Sequence, residues 1–307
     1  MLTPVLFFLA SSIKIISGAD WCYQSQVMCN DSCPGPEGWA VVSQHCSGRA
    51  QSPVNIVRRK TLPDERLTPL HFIGYQETFH ARIVNTGHTV QLDLPAGAVI
   101  KGGDLAVPYK AIQLHLHWGK DGGPGSEHTI DGEQFPMEMH IVHIKEEYNS
   151  LSQALGDRTG VAVLAFFFQE WASANKKYDA LVRALKHIRQ PSNSTTLNGL
   201  SLDMLLPPQS NRTTYFRYQG SLTTPSCAEA LIWTVFENTI RLSKQQLAAF
   251  CQLKFSNGKQ MEKTHRPVQP LNGRKVYYSG GHSALVSSTL LIISVMASSG
   301  LSLHARG

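Results

Sequence analysis

Two short stretches set the pattern of the chain. Gln113-Leu114-His115-Leu116-His117-Trp118 alternates polar and apolar positions, as a strand does with one face in a core. Side chains two apart on a strand point the same way. Gln113, His115 and His117 therefore share one face, and Leu114, Leu116 and Trp118 share the other. Met137-Glu138-Met139-His140-Ile141-Val142 repeats the alternation, with Glu138 and His140 on one face. From residue 51 to 110 short runs with Val, Ile, Phe and Tyr alternate with Gly and Pro turns, and strands are predicted there at His80–Val84, Thr89–Leu94 and Ala98–Ile100. Gly87-His88-Thr89 joins two of these runs.

Further along, Val161–Phe168 is apolar throughout, the signature of a strand buried on both faces. Tyr215–Gly220 and Ala230–Phe236 read as two more strands. Helical spacing appears at Lys176–Ile188, with Tyr178, Leu181, Leu185 and Ile188 on one side, and at Ser243–Leu253 behind a Ser cap. Residues 190–214 are polar, with a Pro-Pro pair, and are expected at the surface. Residues 20–50 are rich in Cys, Gly and Pro and read as an irregular opening segment. The fold class expected is mainly β (α+β), one domain of about 260 residues over 20–277.

The pattern carries chemistry. Two histidines two apart on a strand have Cβ atoms roughly 7 Å apart, close enough for both rings to reach one metal ion. With His115 and His117 on one strand and His140 on the next, three histidines and an open fourth position make a catalytic zinc site. Gln113 and Glu138 each precede a candidate ligand by two residues. Each could accept the free ring N–H of its histidine and fix the tautomer. A carboxylate on an apolar strand needs such a partner, because burying it alone is costly.

Composition narrows the classes. The chain of 307 residues is 42% hydrophobic and carries a formal charge of +6. Its basic residues are interspersed except at Arg58-Arg59-Lys60, without the aromatic-basic interleaving of nucleic-acid binders. No His-Glu-x-x-His motif of the helical zinc hydrolases is present. The six cysteines, Cys22, Cys29, Cys33, Cys46, Cys227 and Cys251, include no C-x-x-C pair, so disulfides in an oxidising compartment fit better than a cysteine metal site. An apolar leader over residues 1–19 reads as a cleaved signal peptide, and sequons at Asn30, Asn193 and Asn211 agree with export and glycosylation. Small residues at Ser279, Gly280 and Gly281 precede an uncharged tail over 284–303. Residues 278–307 therefore read first as a lipid (GPI) attachment signal, with Ser279 as the attachment residue. A single membrane span and a secreted form are the alternatives.

Five motifs in order, Gln-Ser-Pro-Val-Asn-Ile (51–56), Gln-Leu-His-Leu-His-Trp-Gly (113–119), Gly-Ser-Glu-His-Thr (125–129), Glu-Met-His-Ile-Val-His (138–143) and Gly-Ser-Leu-Thr-Thr-Pro (220–225), resemble the α-class carbonic anhydrases. The Trp21-Cys22-Tyr23 start, the cysteine placement and the anchor-like tail are most similar to the membrane-anchored carbonic anhydrase IV group. The resemblance implies one large, twisted, mostly antiparallel sheet with short surface helices. It implies reversible hydration of carbon dioxide to bicarbonate and a proton, with a zinc-bound hydroxide as nucleophile, at the outer face of the plasma membrane. Bicarbonate transporters there would be partners. His115, His117 and His140 match the Zn2+ ligands. Glu127 and Thr223 match the pair that orients the nucleophile, since a Thr hydroxyl that donates to a carboxylate can only accept on its other side. His88 matches the proton shuttle, a role suited to an imidazole with an unperturbed pKa of about 6.5. Thr224 matches a bicarbonate contact, and Val142, Val163, Leu222 and Trp233 match the apolar wall for carbon dioxide. His128 reads as structural. Cys46–Cys227 and Cys22–Cys33 match two disulfides, which leaves Cys29 and Cys251 open, pairing with each other being one option. The competing reading is a catalytically silent domain of this family that binds proteins, and a broken histidine triad would favour it.

Overall fold

The computed structural model describes residues 21–27 and 33–280. The leader, Cys29, the Asn30 sequon and the tail after Gly280 lie outside the described residues. A sheet of twelve strands organises the rest. In chain order they are β1 (Leu62–Pro63), β2 (Leu70–Ile73), β3 (Phe79–Asn85), β4 (Val90–Asp93), β5 (Val99–Gly102), β6 (Leu105–Trp118), β7 (Met137–Lys145), β8 (Val161–Trp171), β9 (Ser194–Leu200), β10 (Tyr215–Gly220), β11 (Leu231–Ser243) and β12 (Tyr277–Tyr278). Across the sheet the order is β9-β3-β4-β6-β7-β8-β11-β10-β12-β1, with β5 also on β6 and β2 on β5. The pairs are antiparallel except β8–β11 and β12–β1. The expected mainly-β architecture with short helices is the one observed.

The central strands are buried on both sides because the sheet separates two cores. Met137, Met139 and Ile141 of β7 pack with Leu164 and Phe166 of β8 in the larger core. Val142 and Ile144 pack with Val163, Ala165 and Trp233 in the smaller one. The histidine alternation depends on a bulge. Val142 lies opposite Gln113, but His143 lies opposite Ala111, so Ile112 is an extra residue in β6. One extra residue reverses which face each later side chain takes. Tyr109 and Ala111 therefore share the larger core with Leu114, Leu116 and Trp118. Gln113, His115 and His117 are turned to the other face.

Several elements differ from expectation. The Lys176–Ile188 pattern forms a short 3-10 turn (Lys176–Tyr178) and an α-helix over Asp179–Leu185, and Ile188 is buried beyond its end. The 190–214 stretch is not simply surface. It contributes β9, the edge strand on β3, and buries Leu197, Leu200, Leu202, Leu205 and Leu206. Its polar residues face solvent while its leucines, spread among them, seal the sheet edge. Lys244–Phe250 forms the second predicted helix, with Ser243 accepting from the Gln246 backbone N–H. The opening segment is built of short helical turns at Gln24–Val27, Pro36–Val41 and Gln44–Ser47. The regular structure also continues past residue 277. Tyr277–Tyr278 pairs with β10, and the Ser279 hydroxyl accepts from the Tyr215 N–H (2.9 Å) and donates to the Thr213 carbonyl (3.0 Å).

Candidate metal centre

Antiparallel register builds the centre. His140 lies opposite His115, and Glu138 opposite His117. The ligating nitrogens of the three histidines all lie within 4.8 Å of one another. His140 Nδ1 and His115 Nε2 are 3.3 Å apart. A tetrahedral zinc ion with bonds of about 2.05 Å requires ligand atoms about 3.3 Å apart, so the spacing fits zinc. His117 Nε2 is buried without a hydrogen-bond partner. A buried imidazole nitrogen in that state suits metal ligation.

The outer nitrogen of each ring is held. His115 Nδ1 donates to Gln113 Oε1 at 2.8 Å, and His140 Nε2 to Glu138 Oε1 at 2.7 Å. Both contacts are those the two-residue spacing suggests. His117 Nδ1 donates to the Thr264 carbonyl at 2.6 Å. Each bond leaves the inward nitrogen with a free lone pair. Burial, and for His115 and His117 also the charge of His140, lowers the pKa of these imidazoles, which favours the neutral form that binds metal.

Glu138 is fully buried yet saturated. Its Oε2 accepts the backbone N–H groups of Glu127 and His128, each at 2.8 Å, and its Oε1 accepts from His128 Nδ1 at 2.6 Å as well as from His140. Burial raises its pKa, but His128 and His140 outweigh that and hold it far below the usual carboxylate range. His128 continues the network to the Tyr218 hydroxyl, 2.6 Å from its Nε2. His128 thus links His140, through Glu138, to β10. Gly125 lets this loop lie close, since a Cβ there would overlap the backbone of Trp118 and Gly119.

Glu127 faces the triad, with Oε2 3.4 Å from His117 Nε2. Its Oε1 accepts the Arg266 backbone N–H at 2.9 Å. The Thr223 side chain lies against the same carboxyl. Burial, then the charge of Glu138, pushes the Glu127 pKa up, while Thr223 and Arg266 draw it down. Thr223 is buried and Thr224 half-buried in a loop closed by Cys46–Cys227, by the Cys227 N–H bond to the Thr224 carbonyl (2.8 Å) and by Trp233 Nε1 donating to the Ser221 carbonyl (3.1 Å).

The apolar candidates form a row across three strands. Val142 pairs with Val163, and Val163 with Trp233. The Trp233 ring lies 4.8 Å from that of His140, and Leu222 packs against the same core. His88 sits in the β3–β4 turn, where Gly87 takes φ +88°, and stacks on Trp21 with ring centroids 3.9 Å apart. Cys22–Cys33 and Cys46–Cys227 are both formed, with Cα atoms 5.6 and 4.9 Å apart. Cys251 is a buried free thiol among the described residues, its Sγ 3.3 Å from the Gly119 carbonyl, and its suggested partner Cys29 lies outside them. Asn193 and Asn211 are exposed. Ser279 is buried.

Sequence reasoning missed Thr264 and Arg266. Both meet the site through backbone atoms, from a coil without periodicity, so no side-chain pattern marks these contacts.

Comparisons with known proteins converge. The profile described as eukaryotic-type carbonic anhydrase matches residues 34–280. The chain is 40% identical over 289 residues to carbonic anhydrase 4 of Rattus norvegicus, covering 93% of each. It is 42% identical over 289 residues to carbonic anhydrase 4 of Mus musculus, covering 93% of this chain and 92% of that one. It is 34% identical over 311 residues to carbonic anhydrase 12 of Homo sapiens, covering 97% and 84%.

Proposed function

The chain belongs to the eukaryotic-type carbonic anhydrases and has their enzymatic class, and from that premise we propose a specific assignment of its residues. Reversible hydration of carbon dioxide to bicarbonate and a proton takes place beside a zinc ion held by His115, His117 and His140. The observation that carries this reading is the convergence of three ligating nitrogens within 4.8 Å, each histidine held from behind by an acceptor. Zinc bound there supplies a Lewis acid that lowers the pKa of water, an effect for which carbonic anhydrases are themselves the standard instance, and a charge that favours ionised Glu127.

The remaining work belongs to the chain. Thr223 donates its one hydroxyl proton to Glu127 and can then only accept from the attacking group, which aims a lone pair at carbon dioxide. Val142, Val163, Leu222 and Trp233 give the uncharged substrate an apolar wall, and Thr224 meets the bicarbonate product. His88 takes the proton outward, with Trp21 stacked on its ring. A broken triad would favour the silent binding domain, and all three histidines are present here. The test is carbon dioxide hydration with and without a zinc chelator.

The enzyme works at the outer cell surface on a lipid anchor. The disulfides, the small residues at 279–281 and the uncharged tail after them support this. No helix among the described residues is long and apolar enough to cross a membrane. Attachment at Ser279 requires its last turn to peel from β10. Phosphatidylinositol-specific phospholipase C should release the protein from cells; retention after treatment would favour a membrane span.

A further inference from the structure

One cavity of the fold lies away from the triad. It has a volume of about 480 Å³ and is bounded by Arg217, Arg274, Lys275, Tyr277 and the Arg66–Asp64 pair, with Asp104 at its edge. On β10, Tyr215 packs into the larger core, whereas Phe216 and Tyr218 pack into the smaller core that contains Val142 and Trp233. Arg217 shares the Tyr215 face. Arg217 therefore reaches the cavity from the face of the sheet opposite the histidines, and Tyr218 borders it from the other face.

Its wall holds unneutralised positive charge. Arg217 is only 8% exposed. Its Nη1 donates to the Gly103 carbonyl at 2.7 Å and its Nε to Thr234 Oγ1 at 3.1 Å, while Nη2 has no hydrogen-bond partner among the described residues. A buried guanidinium with an orphaned N–H is an expensive state that calls for an acceptor. Among the described residues Arg274 donates only to backbone carbonyls, those of Leu271, Gln219, Gln51 and Pro270. Lys275 is exposed at the rim. Among the described residues none of these three cations forms an ion pair with a carboxylate. Asp64 is taken up by Arg66 at 2.7 Å, and Asp104 lies 3.7 Å from the same guanidinium. The four cations exceed the two carboxylates of the wall.

We propose that this cavity is a binding site for a small oxyanion, distinct from the catalytic centre, with Arg217 as its buried anchor and Lys275 at its mouth. The planar guanidinium suits the paired oxygens of a phosphate or carboxylate, and a rim ammonium adds charge without fixed geometry. Desolvation, which weakens the hold of Arg217 on its proton, is relieved by the same anion.

The experiment is a titration of the full zinc-loaded protein with inorganic phosphate, followed by the 15N–1H signal of the Arg217 Nε and by backbone signals around the triad. A saturable shift at Arg217 is expected. Lys275→Ala, an exposed change that leaves the fold intact, should weaken binding about three- to fivefold and leave carbon dioxide hydration unchanged. Arg217→Gln should weaken it at least about tenfold. Acetate serves as the second probe and distinguishes a carboxylate from a phosphate preference. A phosphate response confined to the triad, or affinity at Arg217 that is the same in the parent and in Lys275→Ala, would overturn the proposal.

Discussion

Replacing Glu138 by Gln tests whether the carboxylate behind the triad acts through its four hydrogen bonds. Gln keeps the shape but has one acceptor oxygen. With its amide nitrogen in the Oε2 position, it faces the N–H groups of Glu127 and His128, now 2.8 Å from a donor. Neither backbone donor can reverse. With its nitrogen in the Oε1 position, it faces His128 Nδ1 at 2.6 Å and His140 Nε2 at 2.7 Å. His140 could then switch tautomer, but its proton would move to Nδ1, the atom 3.3 Å from His115 Nε2 that must bind metal. Two bonds to a charged group are lost in either case. At about 1.5–3 kcal/mol each, the metal-free protein should lose about 3–6 kcal/mol in urea unfolding. Zinc affinity, read by competition with a fluorescent chelator, should fall about 10–100-fold. Gln113→Ala is the internal comparison. It removes one half-buried bond of 2.8 Å, and water can replace the lost acceptor, so its zinc affinity should fall less. A Glu138→Gln protein within about threefold of the parent in zinc affinity and within about 1 kcal/mol in stability would refute the reasoning.

Two other expectations concern protons. Burial, against the opposing pull of the Ile141 and Ala162 carbonyls, pushes the His143 imidazole down to about 4. The unfolded value is about 6.5, so the unfolded chain binds the extra proton first and stability falls as pH drops from 6.5 toward 4, by about 3 kcal/mol, then levels. His143→Gln should remove about one proton of slope from stability measured across that window, and an unchanged slope would discard the assignment. His88→Ala should slow hydration in weak buffer and regain rate on adding imidazole; equal rates in weak buffer would place the proton path elsewhere.

Much of the centre was legible because it is written in strand periodicity. The two-residue steps from Gln113 to His115 to His117 and from Glu138 to His140 place both the three histidines and two of their acceptors. Ser243 as a cap and the all-apolar β8 were equally plain, since each depends on neighbours in sequence. Long-range features were not. Thr264 and Arg266 meet His117 and Glu127 across 147 and 139 residues, through backbone atoms that carry no sequence mark. The bulge at Ile112 is visible only as a break in phase between Tyr109–Ala111 and Leu114–Trp118, which a single pass for alternation overlooks. The edge strand β9 was hidden for a different reason: its outward residues are polar, and only Leu197 and Leu200 show that it closes a sheet.

The central claim is that three histidines hold a zinc ion that serves carbon dioxide hydration. Stopped-flow hydration of the zinc-loaded protein, repeated after removal and return of the metal, tests it most directly. The account predicts fast hydration that disappears with the metal and returns with it. Undiminished hydration in the metal-free protein, or none in a folded protein shown to carry one zinc, would contradict it.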